Sequence, residues 1–600
     1  MITLTIFASF LIILSTSAGW LILETLGPLP GSNLDRLFVS YWIGHSLLLI
    51  VTTALVCVLP LNAAFLPVIA GGIILIAVTI RRFPRIDWPQ PLRRFVYPAG
   101  ALIVLLCVAA ACSASWTYDT GLYHYQLVNW FRTFGAVPGL ALLHHRLGYI
   151  SSVFALTAIF DHGPLSGSVG GLVNLSTLIV CCLFAAANLA LAVFTKPTAL
   201  RLYWAACVIV ILPILRPVIS TSPDFLACLL PLVLCWLLLL WQSEIPPRVS
   251  SLPLAFIIIG ACAVSVKASG LALFLICLSI SVYLLRDSRR RMFQCLITAF
   301  VLVLPTLTLN AIISGYPLYP VLAIKLPVPW ALTPATYEVA NTSVQNFPLF
   351  AYSEPYPMSL SNKLTHLFYV DNWYLFSAAI LNIVGIVLII RNKTRKESIC
   401  FAANGALALL GLVMVIRVPA ARFSLGYIFA IPVLAIAVSG RRWLAYAFGA
   451  SLCIWGVMPL KTLNRLDLLR LLVYCAVLLL LIFTRWITST RAIVSTVVVL
   501  MLFQYMRPLM DAAHTLWAST RTPSLLLVPG RIPVLAGSEL RRVTKGGVTL
   551  RQPIGYDQAQ CWATEPPCVP NDFQASFGTV LELRYRDPAR GLAGGFVQTR

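Results

Sequence analysis

A cluster of acidic and aromatic residues stands out in the first long polar stretch of the chain. Residues 116–130 have the sequence WTYDTGLYHYQLVNW, in which Asp119 and His124 lie among tyrosines and tryptophans. Trp and Tyr favour the headgroup level of a bilayer, so the segment could be an interfacial aromatic belt with an incidental carboxylate. Alternatively, Asp119 accepts the proton of an acceptor hydroxyl, while His124 and the ring of Tyr123 bind a sugar or an isoprenoid. The spacing alone leaves both interpretations open.

A second carboxylate, Asp224, follows a long apolar run in the segment ISTSPDFLACLL. Ser and Asp accept hydrogen bonds from the free amides at the start of a helix, so Ser222 and Asp224 could simply cap the helix that follows. Capping does not prevent Asp224 from binding a substrate or a cation as well.

Three cations interrupt or flank apolar runs. Lys267, in AVSVKASG, is a costly residue inside a membrane unless it snorkels, pairs or serves a ligand. Arg417 and Arg422, in IRVPAARFSLGY, carry guanidinium groups that suit bidentate binding of phosphate oxygens. Snorkelling toward lipid headgroups is the alternative for either arginine. With the two aspartates, these residues suggest a site that combines lipid-phosphate binders with a carboxylate base.

No cofactor motif accompanies these residues in the sequence. A nucleotide-phosphate loop, a dinucleotide fingerprint and a GxSxG elbow are all missing. His144, His145 and Arg146 are consecutive and lack the ligand spacing of a metal site. The sequence therefore predicts no certain cofactor, and it leaves open a divalent cation at the carboxylates.

The composition is that of a chain for which the bilayer acts as solvent. Hydrophobic residues make up 59% of the 600 residues and charged residues 10%, against about 45–50% and about 25% in soluble domains. The formal charge is +23, but the basic residues punctuate apolar runs and form no single surface. This pattern favours membrane lipid over nucleic acid as a partner. Fourteen of the 16 cysteines lie in or beside apolar runs without metal-site spacing, and we expect them to be packing residues.

Apolar runs long enough to span a bilayer recur along most of the chain. Helices are the spanning element for such runs, because unpaired backbone amides in lipid are costly. We predict an all-α integral membrane protein with about sixteen transmembrane helices. The predicted spans are residues 3–23, 38–58, 62–80, 97–113, 167–194, 202–219, 225–241, 253–266, 269–285, 294–312, 373–390, 398–416, 424–439, 443–458, 468–484 and 491–507. The short pair at 253–266 and 269–285 could be two half-helices.

Clusters of basic residues indicate which ends of the predicted spans face the cytoplasm. Clusters within 81–94, 286–291 and 391–396 fall on one side, which the positive-inside rule makes cytoplasmic. Both termini are then outside. The predicted parts are a polytopic transmembrane domain at 1–510 with extracytoplasmic loops 113–148 and 313–372, and a small mixed C-terminal extracytoplasmic domain at 511–600.

Two cysteines of the tail, Cys561 and Cys568, lie within CWATEPPC. In an oxidising compartment this spacing permits a local disulfide, although a sequence does not show whether the geometry is met. Runs at 543–550 and 578–583 predict short strands.

Several stretches resemble a known group of proteins. YDTGLYHYQLVNWF, followed by VPGLALLHHRLGY and later SGYPLYP, resembles a family of uncharacterised bacterial membrane proteins related to the glycosyltransferase C-type (GT-C) superfamily. The CWATEPPC tail is similar to that family too. The resemblance implies a GT-C-like fold, a polyprenyl-phosphate-linked sugar as donor, a place for Asp119 near the reaction centre and Asp224 as a second acidic site. The chain departs from the simplest pattern because three spans precede the helix that leads to the first loop, where many members have one.

These observations together predict a glycosyltransferase of the bacterial cell envelope, located in the cytoplasmic membrane with its active face toward the periplasm. Arg422 and Lys267 bind the donor phosphate, and Asp119 deprotonates a hydroxyl of a glycan, lipid or protein acceptor in an inverting displacement. The alternatives are a secondary transporter, which many spans and buried charges also favour although no repeated halves are visible, a polysaccharide polymerase or ligase, and a noncatalytic assembly subunit.

Overall fold

The fold is mostly helical and is taken from a computed structural model. The structure describes residues 2–333 with gaps at 28–30, 113–117, 169, 196–197, 212–219, 244–250 and 322, short pieces between 387 and 434, and then 532–554, 560–570 and 582–599.

Helices follow one another along the first half of the chain. The α-helices of this part are α1 Ile2–Leu26, α2 Asn33–Val58, α3 Phe65–Thr79, α4 Gln90–Cys112, α5 Tyr125–Thr133, α6 Ser152–Phe160, α7 Leu172–Phe194, α8 Ala199–Ile211, α9 Asp224–Ser243, α10 Leu252–Val266, α11 Leu271–Leu284 and α12 Arg289–Ser314. A further helical turn, α13 Leu425–Ile428, packs against α9. The shorter helical pieces include a π-helix at Thr120–His124 and 3₁₀ helices at Leu140–Leu142, His145–Gly148 and Ala268–Gly270.

Several helices are long and apolar enough to cross a membrane. Within the described residues there are six such stretches: Ile2–Thr25, Asn33–Val58, Leu61–Arg82, Leu172–Ala192, Asp224–Trp241 and Arg289–Ser314. A bilayer core of about 30 Å needs about 20 apolar residues in a helix, and each of these stretches comes close to or exceeds that length. The chain is therefore a helical membrane protein.

The six spans are fewer than the sixteen predicted. The remaining predicted spans of the first half coincide with α4, α8, α10 and α11, of which α10 and α11 are short apolar helices. The last six predicted spans, from 373 to 507, lie outside the described residues except for short pieces between 387 and 434. The count of sixteen stays a prediction.

Helices α1 and α2 pack so closely that their backbones touch. A Cβ atom at Gly19 would overlap the carbonyl oxygen of Ser40, and one at Gly44 would overlap that of Ser15. Lipid offers no hydrophobic driving force between helices, so small residues spaced four apart hold them together by close van der Waals contact. The pairs Ser15/Gly19 and Ser40/Gly44 have this spacing on the two facing helices.

A buried polar cluster fastens the same pair of helices to α7. The ring nitrogens of His45 lie 3.3 Å from Ser15 Oγ and 3.4 Å from Thr177 Oγ1. Thr177 Oγ1 is also 3.0 Å from the hydroxyl of Tyr41. Because these groups satisfy one another, the cluster joins α1, α2 and α7 without leaving polar atoms facing lipid.

Helices α10 and α11 form an antiparallel hairpin whose tip is Lys267. Ser281 donates a hydrogen bond to the carbonyl of Pro253 near the open end, and Gly270 lies against the backbone of Ala263 near the tip. With 15 residues, α10 is about 22 Å long, which is less than the thickness of a bilayer core. The two short helices bring Lys267 to a turn between apolar arms, as half-helices do.

Contacts between helix ends show which loops share one end of the bundle. Arg82, after α3, pairs with Glu24, near the end of α1, at 3.1 Å. At the other end, the amide of Ala136 donates to the carbonyl of Val56 in α2, and the amide of Gly139 donates to that of Ile312 in α12. The first long loop therefore covers the end of the bundle opposite to Arg82.

The tail contains two short antiparallel sheets. Strand β1 Leu540–Lys545 pairs with β2 Val548–Pro553, and β3 Glu582–Tyr585 pairs with β4 Phe596–Thr599. The strand-like run at 543–550 covers the end of β1 and the start of β2, because Gly546 and Gly547 have φ values of +53° and +87° and form the turn between the two strands. The amide of Phe596 donates to the carbonyl of Pro138, so the tail packs on the first loop.

The packing of α1 against α2 predicts a sharp difference between two glycines. Gly44→Leu places a side chain where the backbone of Ser15 lies, so the helices must separate, and we expect a loss of about 2–3 kcal/mol. Gly71→Leu is the matched control, because a Cβ at Gly71 meets no atom within 4 Å. Thermal unfolding of both variants in detergent measures the effect. Equal melting temperatures for Gly44→Leu and the wild-type protein would contradict this packing.

Candidate functional site

Asp119 is the last residue before a π-helical segment, which continues directly into α5. Single π-turns inserted in helices are frequently found at functional sites. The Asp119 residue is only 6% exposed, and its Oδ1 lies 3.7 Å from Nη1 of Arg146. Arg146 belongs to the 3₁₀ helix at the end of the same loop. The predicted base is thus a buried carboxylate beside a guanidinium.

His124 and Tyr123 lie in an aromatic cluster next to this pair. The His124 ring is 4.4 Å from that of Tyr123 and 5.1 Å from that of Phe154 in α6. Tyr123 also meets the edge of Tyr149 at 6.1 Å. Tyr149 in turn stacks on Tyr319, whose hydroxyl donates to the carbonyl of His145. The segments HHRLGY and SGYPLYP are therefore in direct contact.

Asp224 and Lys267 form an ion pair. Lys267 Nζ is 2.6 Å from Asp224 Oδ1, which joins the first residue of α9 to the tip of the α10–α11 hairpin. The amide of Asp224 donates to Ser222 Oγ, so the serine hydroxyl supplies the local cap at this helix start. The Asp224 carboxylate instead holds the lysine.

Helix α6, which follows the segment that carries Arg146, contacts the hairpin that carries Lys267. Ser265, two residues before Lys267, donates a hydrogen bond of 3.0 Å to Ser152 Oγ at the start of α6. Ser152 is six residues after Arg146 in the chain. The sequence predicted Asp119, Asp224 and Lys267 as site residues, and the structure brings the last two into contact with each other.

Two predicted phosphate binders, Arg417 and Arg422, lie outside the described residues. A metal site is a separate question, and in the described part of the chain no group of three His, Cys, Asp or Glu side chains could hold a metal ion. His144 and His145 stack on each other at 4.6 Å, and His144 Nδ1 accepts a hydrogen bond from the amide of Arg146. These histidines therefore shape the loop that presents Arg146.

The disulfide loop of the tail lies along the helical segment that carries Asp119. Cys561 and Cys568 form a disulfide. Gln560 donates to the carbonyl of Tyr118, and the amide of Trp562 donates to the carbonyl of Gly121. Trp562 has a φ of +50°, in the left-handed region that is costly for a bulky residue. The contact with Gly121 fixes it there.

Two buried amide side chains of α5 complete this contact. Gln126 Nε2 donates to the carbonyls of Trp562 and Thr564. Asn129 Nδ2 donates to those of Ala563 and Thr564. Sequence reasoning missed this contact and also missed Arg146 as the partner of Asp119. The one indication in the sequence was the helical spacing of the polar residues in α5. A helix face that is exposed to water has the same spacing, so the sequence alone does not reveal a buried contact.

A third buried carboxylate, Asp161, directly follows α6 and lies against α5. Asp161 Oδ1 accepts hydrogen bonds from the hydroxyl of Tyr125 at 2.6 Å and from the amide of Gly167 at 2.9 Å. Its Oδ2 is 3.1 Å from Nη1 of Arg132. Burial and the neighbouring Asp161 carboxylate raise the pKa of Tyr125 well above its usual value. The phenol therefore stays protonated, and its hydroxyl donates a hydrogen bond to Asp161.

The tight contact at Gly121 predicts how the tail is held. Gly121→Ala adds a Cβ that would lie 2.6 Å from the ring of Trp562, and we expect this overlap to weaken docking by about 1–3 kcal/mol. Hydrogen–deuterium exchange of residues 560–569 should then become about 5- to 150-fold faster, since each tenfold corresponds to about 1.4 kcal/mol. Gly537→Ala, where a Cβ meets nothing within 4 Å, is the control within the tail. Unchanged exchange in Gly121→Ala would refute the docking.

Comparison with known proteins gives a family and no activity. No curated protein matches the sequence. The family described as a domain of unknown function, DUF8201, matches residues 1–429, which is more than two thirds of the 600 residues. The match includes Asp119, Asp224 and Lys267 and ends before the disulfide loop. The chain therefore belongs to the DUF8201 family.

Proposed function

We propose that this protein is a membrane glycosyltransferase, with a GT-C-like architecture of about sixteen helices, that moves a sugar from a polyprenyl-phosphate donor to an extracytoplasmic acceptor. The observation that carries the proposal is the buried Asp119 carboxylate beside Arg146, on the same end of the bundle as the Asp224–Lys267 pair. A carboxylate base and a cation at one end of an apolar bundle suit a substrate that is half lipid and half sugar.

The location at one end rests on contacts of the loop that carries Asp119. This loop donates backbone hydrogen bonds to the ends of α2 and α12, and α6, which follows it, meets the hairpin through Ser152 and Ser265. Arg82 and Glu24 mark the opposite end, where the positive-inside rule would locate the cytoplasm of a bacterial cell. These contacts support an active face toward the periplasm.

The chemistry assigns one role to each group. Asp119 takes the proton of an acceptor hydroxyl, whose oxygen forms a bond to the anomeric carbon of the sugar. The bond between that carbon and the phosphate oxygen breaks, and its electron pair leaves with the polyprenyl phosphate. Cationic groups stabilise this leaving group, which makes a general acid unnecessary.

Among the cations within the described residues, Lys267 is the one best suited to bind the donor phosphate. An ammonium group has three N–H donors, and the Asp224 carboxylate fixes its position at the hairpin tip. Asp224, predicted as a second acidic substrate site, thus becomes a positioning residue for Lys267. Arg422 and Arg417 remain proposed phosphate binders from the sequence. Tyr123 and His124 provide ring surface beside the base for the sugar.

Asp119 is the most informative residue to change. Asp119→Asn keeps the size of the side chain and removes the basic carboxylate, and general-base catalysis typically contributes about 10²–10⁴-fold. We expect the purified variant, reconstituted in vesicles with a panel of polyprenyl phosphates carrying radiolabelled hexoses or pentoses, to lose at least about a hundredfold in sugar transfer to cell-envelope acceptors.

Asp287→Asn is the matched control, because that carboxylate is exposed in the turn between α11 and α12. It should transfer sugar like the wild-type protein. Equal transfer by Asp119→Asn would remove Asp119 as the base. Movement of the lipid-linked sugar across vesicles that contain the wild-type protein, without any new glycosidic product, would indicate a transporter and not an enzyme. Repeated addition of the same sugar unit would indicate a polymerase.

A further inference from the structure

A cavity of about 350 Å³ lies between α5 and the tail. Its walls are α5, the turn from Asp161 to Gly167, the tail segment 532–535 and the disulfide loop. The tail segment is held in place because the amide of Ile532 donates to the carbonyl of Gly167, and the amide of Ala563 donates to that of Pro533. Cavities that bind small molecules begin at about 300 Å³, so this one can hold a compact ligand.

The cavity is separate from the candidate catalytic site. The cavity residues of α5, which are Tyr125, Asn129 and Arg132, lie 6, 10 and 13 residues after Asp119 on one continuous helical segment, which corresponds to about 9–20 Å along the axis. The disulfide loop covers the stretch between Asp119 and Arg132, through Gly121, Gln126 and Asn129. One side of α5 therefore leads from the proposed base to this cavity.

Charged side chains line the cavity in equal numbers of each sign. Among the described residues these are Arg132, Asp161, Arg551 and Glu565. Arg132 pairs with Asp161 at 3.1 Å, and Nη2 of Arg551 donates to the carbonyl of Pro566. The formal charges of these four side chains cancel, so the cavity has no excess of positive charge.

The remaining lining suits a hydroxylated ring. Tyr125 and Asn129 add a hydroxyl and an amide, and Ile532, Val534 and Leu535 add an aliphatic wall. Planar guanidinium, carboxylate and amide groups match pairs of hydroxyls, which both donate and accept hydrogen bonds. A sugar ring presents hydroxyls at its rim and C–H groups on its face, so it can use both kinds of surface.

We propose that this cavity binds a neutral saccharide. Its occupancy does not depend on whether the protein transfers sugar, whereas a role in holding the glycan acceptor rests on the proposed function. The ligand would contact Arg132 and Asn129 from the first loop and Arg551 and Glu565 from the tail, so binding needs the tail docked on α5.

The test measures binding alone. Full-length protein in detergent is applied to an array of neutral and acidic oligosaccharides, and the best neutral ligand is then titrated by calorimetry. We expect at least about tenfold weaker binding for Glu565→Gln, which alters an exposed side chain, and for Arg551→Ala. Arg542→Ala is the matched control, because Arg542 is opposite Arg551 across the β1–β2 pair, is exposed and does not line the cavity.

Three results would overturn the proposal: no neutral glycan bound by the wild-type protein, equal binding by the Glu565 and Arg551 variants, or binding of acidic glycans alone with displacement by inorganic phosphate. Sugar transfer by the same wild-type preparation separates this proposal from the proposed enzyme. Glycan binding without any sugar transfer would end the enzyme proposal and leave the saccharide site standing.

Discussion

Three buried carboxylates at one end of the helical bundle each lie beside a cation, and the arrangement of that end depends on this pairing. The pairs are Asp119–Arg146, Asp161–Arg132 and Asp224–Lys267. Removing one partner of a buried pair typically costs about 3–5 kcal/mol, because the other charge is left without water and without a counter-charge. Each pair also joins parts of the chain that are far apart in sequence. The first two pairs therefore hold parts of the first loop and the residue after α6 together before any substrate binds. The third pair holds the start of α9 against the tip of the α10–α11 hairpin.

The tail extends this arrangement rather than forming a separate body. Its disulfide loop contributes backbone carbonyls to Gln126 and Asn129, which are buried and need acceptors. Phe596 packs on the first loop at Pro138, and the guanidinium of Arg586 lies 5.6 Å from the ring of Trp330 in the second loop. Both long loops thus touch the tail. The family match ends at residue 429, so the part of the chain that closes the proposed saccharide site lies beyond it.

The sequence predicted the residues that are unusual in an apolar context and missed those that are ordinary. Asp119 and Lys267 stand out because a charge near lipid is costly, and the break at Lys267 predicted the boundary between the two short apolar helices α10 and α11. Gln126 could not be predicted as a binder of the tail, because its acceptor Trp562 is 436 residues away and only the fold brings them together. Arg146 was visible beside two histidines, but its pairing with Asp119 depends on how the loop closes. The strand-like run at 543–550 belongs to two strands for a local reason, since two consecutive glycines with positive φ turn the chain back on itself.

In the proposed enzyme, the lipid phosphate of the donor binds at the end of the bundle that holds the Asp224–Lys267 pair. The most direct measurement is an electron cryo-microscopy structure of the protein in a lipid nanodisc with a polyprenyl phosphate bound. We predict density for the phosphate within about 4 Å of Lys267 Nζ, on the side that faces Asp119. Phosphate density at the opposite end, beside Arg82 or the arginines that begin α12, would contradict the account.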